Sequence, residues 1–382
     1  MTYRLLHLAD VHLDRTFAAL GGDAQLARRR RQGLKDALRT AGRVAAERSC
    51  QAVTIGGDLY EHERAGADTE RFLVETFASW QPLHVFIAPG NHDALLPGSL
   101  YRRAAWPDNV HIFSGSRLEP LELADGLTLW GLAHREPVWQ GDPLGGTPPP
   151  EDSGVHLALF HGAELGSRPD GKGIHGPFVA EAIRGMGFAA ALCGHYHRRR
   201  LDPALGLLYP GSPEPLRIDE TGDRGPVLVT VGSDGAVTME ALSLNRWQAH
   251  CLDCDVEGAG SADTVLDRIE AAAVIVLDGD LERSLLRIDC TGELDPALSL
   301  DTATMETVLR ERLGVAAVGV RDLTQPSLDL DEAAAEHSAR GAFLRATQAA
   351  LQAAADEDEA SILEDARRYG LAALAGSPVG LR

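Results

Sequence analysis

Apolar residues recur along this chain in two rhythms. The first is a series of short, nearly unbroken runs: YRLLHLA (3–9), AVTIG (52–56), HVFIA (84–88), VHIF (110–113), LTLWGLA (127–133), VHLALF (155–160) and AALC (190–193). Runs of this length and composition predict strands buried on both faces. The second rhythm has three- and four-residue spacing. Leu26, Leu34, Ala37, Leu38, Ala41, Val44 and Ala45 predict a helix over 24–48, and Phe72, Leu73 and Phe77 predict another over 67–79. Strands alternating with helices imply an α/β fold of layered sheets with helices on both faces. PVLVTV-GSDG-AVTMEAL (226–242) predicts a hairpin, and GDPLGGTPPPEDSG (141–154) is a loop by its Gly and Pro content.

From residue 244 the pattern changes. A strand in RWQAHCLDCDV, a helix over 261–275, a strand at LLRIDC, a helix over 301–313 and a strand at AAVGVRDL describe a small α/β domain. After Pro326 the chain is Ala-rich and acidic, with helices expected near 331–354 and 357–374. The expected organisation is therefore a first domain of 1–243, a small α/β domain of 244–326 and a C-terminal helical segment of 327–382.

Polar residues interrupt the first pattern at a recurring place. The run APGNHDALLP (88–97) leaves a strand and at once places Asn91, His92 and Asp93. Other strands end the same way: LADVHLD with Asp10 and His12, GGDLYEHE with Asp58, LFHGAE with His161, and CGHYHRRR with His195 and His197. The C-terminal edge of α/β strands is where ligands bind. The D-x-H and H-x-H spacings put two side chains on one face of an extended segment. Asp, Asn and His suit Mn, Fe or Zn, and no Cys joins the set. Seven such ligands exceed one tetrahedral site; they suit two metals that share a bridging carboxylate, clamp a phosphoryl group and acidify a water between them.

Composition adds boundaries. The net charge is −20, and it is uneven: 24 basic against 30 acidic residues in 1–243, 12 against 26 in 244–382. That argues against a broad, sequence-independent coat on DNA. No run is long and apolar enough for a membrane span. With five cysteines and no export signal, a reduced, cytoplasmic protein is expected. Cys251 and Cys254 form a lone C-x-x-C, with His250 and Cys290 in the same domain; small buried residues of a strand region are the expected reading. His7, His84, His111 and His156 are read as ordinary strand or surface histidines, and His134 as a strand-end residue outside the substrate contacts.

The five motifs, in this order, resemble the calcineurin-like metallophosphoesterase family. LLHLADVHLD with GDL, GNHD, HG, GHYH and YPGSPEPLRIDE most resembles its SbcD-like, YhaO-like DNA repair exonucleases, over residues 4 to about 220. The resemblance implies Asp10, His12 and His197 on one metal, Asn91, His161 and His195 on the other, and Asp58 between them. It implies His92 as the catalytic histidine, donating a proton to the leaving oxygen, with Asp93 orienting it from behind. The implied function is a metal-dependent DNA exonuclease or endonuclease with two divalent ions, Mn2+ before Fe or Zn, and a nucleophile formed from the bridging water. The small domain would cap and guide DNA, the C-terminal helices would dock an SbcC-like coiled-coil ATPase, and a homodimer is expected on the same ground. Arg198, Arg199 and Arg200 are read as DNA phosphate contacts. ARRRRQGLKDALR (27–39) is read equally as a phosphate contact or a solvated helix face. One departure stands out: after GDL the family often carries an aromatic or aliphatic residue and then Asp, whereas here Tyr60 precedes Glu61, which leaves Glu61 without an assigned role. Two rivals remain: a small-molecule phosphodiesterase or phosphatase of the same superfamily, and a non-catalytic DNA-end scaffold.

Overall fold

The apolar runs become strands of two six-stranded sheets. The computed structural model describes every residue except 1, 18–23, 148–149, 151–152, 168–172, 278, 296, 328–329 and 375–382, so part of the 141–154 loop lies outside the described residues. The chain forms two units: Met1–His250 with Gly279–Leu286 and Val315–Gly319, and Cys251–Asp278 with Arg287–Gly314 and Val320–Arg382.

In the first unit the elements are β1 (Tyr3–Leu8), α1 (Ala24–Glu47), β2 (Ala52–Ile55), α2 (Ala67–Ser79), β3 (His84–Ile87), α3 (Leu100–Arg103), β4 (Val110–Ile112), β5 (Glu119–Ala124), β6 (Leu127–Gly131), β7 (Val155–His161), α4 (Glu181–Gly185), β8 (Ala190–Gly194), β9 (Arg200–Asp202), β10 (Leu207–Tyr209), β11 (Val227–Val231) and β12 (Val237–Ala241). One sheet has the order β12-β11-β1-β2-β3-β4, the other β5-β6-β7-β8-β10-β9. Neighbours from β1 to β4 are parallel, as are β6, β7, β8 and β10. β5 is a strand that periodicity did not predict. Every residue of its EPLELA is exposed or half-exposed on the sheet's edge, so no continuous apolar run marks it.

Alternation along β1 shows how the layers form. Leu5 packs with Phe86, Leu129, Leu157, Leu159, Leu192 and Val229 in the core between the sheets. Leu6 and Leu8 face the other way, with Leu34, Leu38 and Ala41 of α1 and Phe72 and Phe77 of α2. Phe160, Ile183, Phe188 and Tyr209 cover the outer face of the second sheet. The fold is thus α/β with helix, sheet, sheet and helix layers.

Two features bring the sheets together below the strand ends. His7 is fully buried; its Nδ1 lies 3.0 Å from Thr54 Oγ1 and its Nε2 3.1 Å from Cys193 O, which ties β1 to β8 of the opposite sheet. Gly194 meets the first sheet at its backbone: a Cβ there would stand 2.0 Å from Gly56 O. Only glycine permits this approach.

The chain continues as β13 (Gln248–Asp255), α5 (Ala262–Val276), β14 (Ser284–Thr291), β15 (Glu293–Leu294), α6 (Thr302–Leu313), β16 (Ala317–Asp322), β17 (Gln325–Pro326), α7 (Leu330–Ala335), α8 (Ala339–Ala353) and α9 (Glu357–Leu374). β13, β14 and β16 form a three-stranded sheet. Local chemistry sets the helix limits: Ser261 and Asp301 accept from the Thr264 and Thr304 amides, and Gly314 ends α6 in the left-handed region. In the second unit Arg312 pairs with Asp267 and Glu270, and Leu344 packs with Ala333, Ala334 and Leu371. The helix expected over 331–354 is two, α7 and α8, with Ser338 capping the second on the Gly341 amide. No described helix is long and apolar enough to cross a membrane.

Candidate metal centre

The polar residues at the strand ends converge. Asp10 and His12 follow β1, Asp58 follows β2, Asn91 and His92 follow β3, His161 ends β7, and His195 and His197 follow β8. Four of these, Asp10 (φ 54°), His12 (φ 50°), Asp58 (φ 53°) and His195 (φ 118°), hold positive φ angles that L-residues rarely adopt. Such backbone costs about 1–3 kcal/mol per residue and persists where the surroundings enforce it. Here the enforcement is backbone pairing that continues past the strands: Asp10 N donates to Gly57 O at 3.1 Å, His12 N to Asp58 O at 2.9 Å and Leu13 N to Leu59 O at 3.0 Å. Gly90 allows the third loop to close on the second, since a Cβ there would lie 2.5 Å from Asp58 Oδ1.

The side chains are buried around an acceptor-rich centre. His161 is fully buried and its Nδ1–H donates to Gly56 O at 2.9 Å. Its Nε2 lies 3.0 Å from Asn91 Oδ1, 3.2 Å from His195 Nδ1 and 3.4 Å from Asp58 Oδ2. His195 in turn uses its Nε2–H on Gly173 O at 3.0 Å, so in neutral form its Nδ1 is a lone pair. Burial holds the His161 pKa well below the ordinary histidine value, so its Nε2 is a lone pair as well. Four acceptors therefore face one another with no proton to share.

The other side repeats this. His12 Nδ1 lies 3.0 Å from Glu61 Oε1, so the proton sits on Nδ1. Its buried Nε2 has no hydrogen-bond partner among the described residues, and stands 3.5 Å from Asp58 Oδ2 and 4.0 Å from Asp10 Oδ1. His197 gives Nδ1–H to Glu220 Oε1 at 2.9 Å and turns Nε2 to 4.0 Å from Asp10 Oδ1. Donor atoms of Asp10, His12 and His197 lie within 4.8 Å of one another, as do those of Asp10, Asp58 and His161, and of His12, Glu61 and His92. Converging lone pairs and carboxylates in a buried place are stable when a cation sits among them. The residues present fit divalent metal ions with hard oxygen and imidazole ligands. Burial alone would raise the Asp58 pKa, but the His92 ring and the hydrogen bond from the His92 amide favour the carboxylate and hold it well below the usual range.

His92 and Asp93 part company. The sequence reading put Asp93 behind His92, but its carboxylate is occupied elsewhere. Asp93 accepts from the amides of Asp58 (3.1 Å), Leu59 (2.7 Å) and Gly90 (2.6 Å) and from Tyr101 OH (2.6 Å). It knits the second and third loops together, and burial with the adjacent Asp58 charge pushes its pKa up to about 7. The residue behind His92 is Glu61, whose Oε2 lies 2.8 Å from His92 Nδ1. That hydrogen bond, against the opposing effect of burial, raises the His92 pKa to about 9. Glu61 is lowered: burial opposes, while His12 and His92 outweigh it.

The arginine readings change too. Arg199 donates to Gly225 O (3.0 Å) and Leu242 O (2.7 Å), and Arg200 pairs with Glu164 at 2.8 Å. Both guanidinium groups thus have partners within the chain. Arg198 is exposed. In α1, Arg30 is buried, donates to Pro215 O and lies over the Phe17 and Trp247 rings at 4.4 and 5.1 Å, so neither reading of that run describes it. Ser212, in the YPGSP turn, accepts from Arg224 at 2.7 Å, and Arg224 also donates to His197 O at 2.8 Å. His134 is buried with Nε2 2.7 Å from His161 O, where it braces the loop behind His161. Among the described residues no cysteine belongs to a potential metal group, and Cys254 and Cys290 are buried.

The residues that sequence reasoning missed are Glu61, Glu220, Tyr101 and Arg224. A signal existed for two of them: Glu61 lies three residues after Asp58, and Glu220 closes the YPGSPEPLRIDE run.

Comparison with known proteins identifies a family. A family model described as calcineurin-like phosphoesterase matches residues 3–199. The chain is 26% identical over 244 residues to "Uncharacterized metallophosphoesterase YhaO" of Bacillus subtilis, covering 62% of this chain and 59% of that protein. It is 25% identical over 303 residues to "DNA double-strand break repair protein Mre11" of Methanopyrus kandleri, covering 71% and 63%. The match thus spans about three fifths of the length of these curated relatives. A solved structure, TT1561 of Thermus thermophilus, aligns at a TM-score of 0.38 and 13% identity over 63% of this chain and 99% of that one.

Proposed function

Since this chain belongs to the calcineurin-like phosphoesterase family, we propose that it is a metal-dependent phosphodiesterase acting on DNA, an exonuclease or endonuclease of the kind used in repair. The observation that carries the metal half of this reading is the cluster of facing acceptors around His161 Nε2, with the unpartnered Nε2 of His12 beside it. Support for DNA comes from the similarity to a relative named for double-strand break repair.

In this reading Asp10, His12 and His197 would hold one divalent cation, Asn91, His161 and His195 a second, and Asp58 both. Mn2+ is the proposed metal, before Fe or Zn. When bound, such a pair polarises phosphoryl oxygens and acidifies a water. The chain's own part is positional. His92 lies beside the cluster, its ring 4.7 Å from that of His12 and its side chain 41% exposed, where it can reach a leaving oxygen. Its Nε2–H would protonate that oxygen as the P–O bond breaks. Asp93 acts one step back, by holding the loop that carries Asn91 and His92. Of the three arginines after the H-x-H pair, Arg198 is the one left for a DNA phosphate. The division into 1–243, 244–326 and 327–382, a capping role for the second part, docking of an SbcC-like coiled-coil ATPase by the last, and a homodimer are proposed on family resemblance.

The test uses Mn2+ and end-labelled linear duplex DNA, with His92→Ala beside the wild type. Cleavage that falls about 100- to 10,000-fold in the variant at unchanged metal content supports the reading. Turnover of a small phosphodiester without DNA cleavage would replace it by a small-molecule phosphodiesterase. Metal binding with no turnover of either would favour a DNA-end scaffold.

A further inference from the structure

A second concavity lies at the other edge of the first sheet. It has a volume of about 510 Å3, and its lining includes Arg39, Arg43 and Ala46 of α1 with Cys50, Trp80 and Leu83. Cys50 precedes β2 and Leu83 precedes β3, whereas Asp58 and Asn91 follow these same strands. The two strands are parallel neighbours. The cavity and the metal centre therefore open at opposite strand ends.

The chain builds this place at some cost to α1. Gly42 interrupts the middle of the helix, where glycine is disfavoured. A Cβ there would stand 2.1 Å from the Trp80 Nε1, so its absence lets the indole seat against the helix backbone. Trp80 is 8% exposed and packs on Phe77, with ring centroids 5.0 Å apart. Its indole N–H meets no acceptor among the described residues.

The lining is one-sided in charge. Arg39 and Arg43 stand one helical turn apart, and none of the lining residues is acidic. Asp36 pairs with Arg39 at 3.2 Å and Glu47 with Arg43 at 2.6 Å, both from outside the lining. The two guanidinium side chains are 53% and 61% exposed. Ion pairs so open to water contribute little, and each guanidinium has N–H groups to spare for a second acceptor. Arg39 also lies over the Phe72 ring at 4.8 Å, which limits where its charge can go. The rest of the surface is mostly apolar. Burial pushes the Cys50 thiol up to about 11, so at neutral pH it brings no opposing charge. The volume suits a small molecule and is far more than an ion needs.

We propose that this cavity is a binding site for a small organic anion, with its oxyanion head on Arg39 and Arg43 and its apolar body against Trp80 and Leu83. The ligand is distinct from whatever the metal centre holds, and nothing here depends on the phosphodiesterase reading.

The test uses the metal-free full chain labelled with fluorotryptophan and followed by fluorine NMR. Five tryptophans give five signals, and Trp80→Phe assigns one of them. With phenylphosphonate as the probe, the Trp80 signal should shift saturably with a Kd of about 1 mM or below, while those of Trp130, Trp139 and Trp247 stay in place. Arg39→Gln combined with Arg43→Gln should weaken the Kd about tenfold or more, since hydrogen bonds to charged groups are the strong ones. Inorganic phosphate, a charge without a body, and benzamide, a body without a charge, should each bind about tenfold more weakly than phenylphosphonate or worse. Ala46→Phe sits at an exposed position of α1 and fills the cavity. It should abolish the shift and leave the circular dichroism spectrum and the thermal midpoint unchanged.

No saturable Trp80 shift up to about 10 mM probe would overturn the proposal. So would a Kd that the double glutamine variant or a folded Ala46→Phe leaves unchanged. Inorganic phosphate or benzamide binding as tightly as phenylphosphonate would overturn it as well.

Discussion

The two halves of the candidate centre offer similar ligands to the same space but are backed by different chemistry. Around Asp10 the imidazoles lean on carboxylates: Glu61 behind His12 and Glu220 behind His197. Around Asn91 they lean on backbone carbonyls: Gly56 behind His161 and Gly173 behind His195. A carboxylate makes the imidazole it supports a stronger donor and adds charge; a carbonyl orients the ring and adds none. Among the described residues, the Asp10 half therefore draws on Asp10, Glu61 and Glu220 besides Asp58, while the carboxylate beside the Asn91 half is that of Asp58. The lesson is that ligand identity alone does not grade the two positions. The atoms behind the ligands do, and on the proposed two-metal reading the Asp10 half is expected to bind its ion more tightly.

Asp58→Asn should erase the comparison altogether, since both His12 Nε2 and His161 Nε2 lie within 3.5 Å of Asp58 Oδ2. Metal content by plasma spectrometry should drop in both halves and phosphodiester hydrolysis should reach background; one full equivalent of Mn2+ retained would mean that Asp58 belongs to a single half. Glu220→Gln should sharpen it. The amide oxygen can still accept His197 Nδ1–H, but the charge is gone, and metal affinity at one half should weaken about 10- to 100-fold. Calorimetric titration of metal-free protein with Mn2+ should then show the tighter of two steps moving alone, and an equal shift of both would break the distinction.

The smallest effect lies below both halves. Burial lowers the His7 pKa from 6.5 to about 4, against its hydrogen bonds to Cys193 and Thr54. The unfolded chain therefore takes up this proton first as pH falls. The stability tied to neutral His7 is complete above pH 6.5, declines through the window from 6.5 to about 4, and amounts to about 3 kcal/mol in all. Urea unfolding of the metal-free protein should be less pH-dependent across this window in His7→Asn than in the wild type. Parallel slopes would show that His7 does not hold the two sheets through its neutral form.

Much of this arrangement was legible in the chain, for identifiable reasons. The strands at 3–8, 52–55, 84–87, 155–161 and 190–194 were readable because a strand buried on both faces must be continuously apolar. Asp10, His12, Asp58, Asn91, His161, His195 and His197 were readable as one set because each ends or closely follows such a strand, and parallel strands deliver their ends to one edge. β5 was not readable, because an edge strand needs no apolar run. The partners of Arg30, Arg199 and Arg200 were not readable, because an arginine run looks solvent-facing until the surfaces around it are known; the first lies over two rings, the second meets the Gly225 and Leu242 carbonyls, the third meets Glu164.

By itself the sequence determined which elements form and which polar residues leave the strands together, since periodicity and strand-end position are local properties of the chain. Tertiary structure alone decided which acid serves which base. Asp93 is adjacent to His92 in sequence, yet the turn carries its carboxylate to the amides of Asp58 and Leu59 across the loop. Glu61, distant in sequence, reaches His92 because β2 and β3 are parallel neighbours whose following loops close against each other. A hydrogen bond forms where two atoms meet in space, and only the packing of one loop on another sets that meeting.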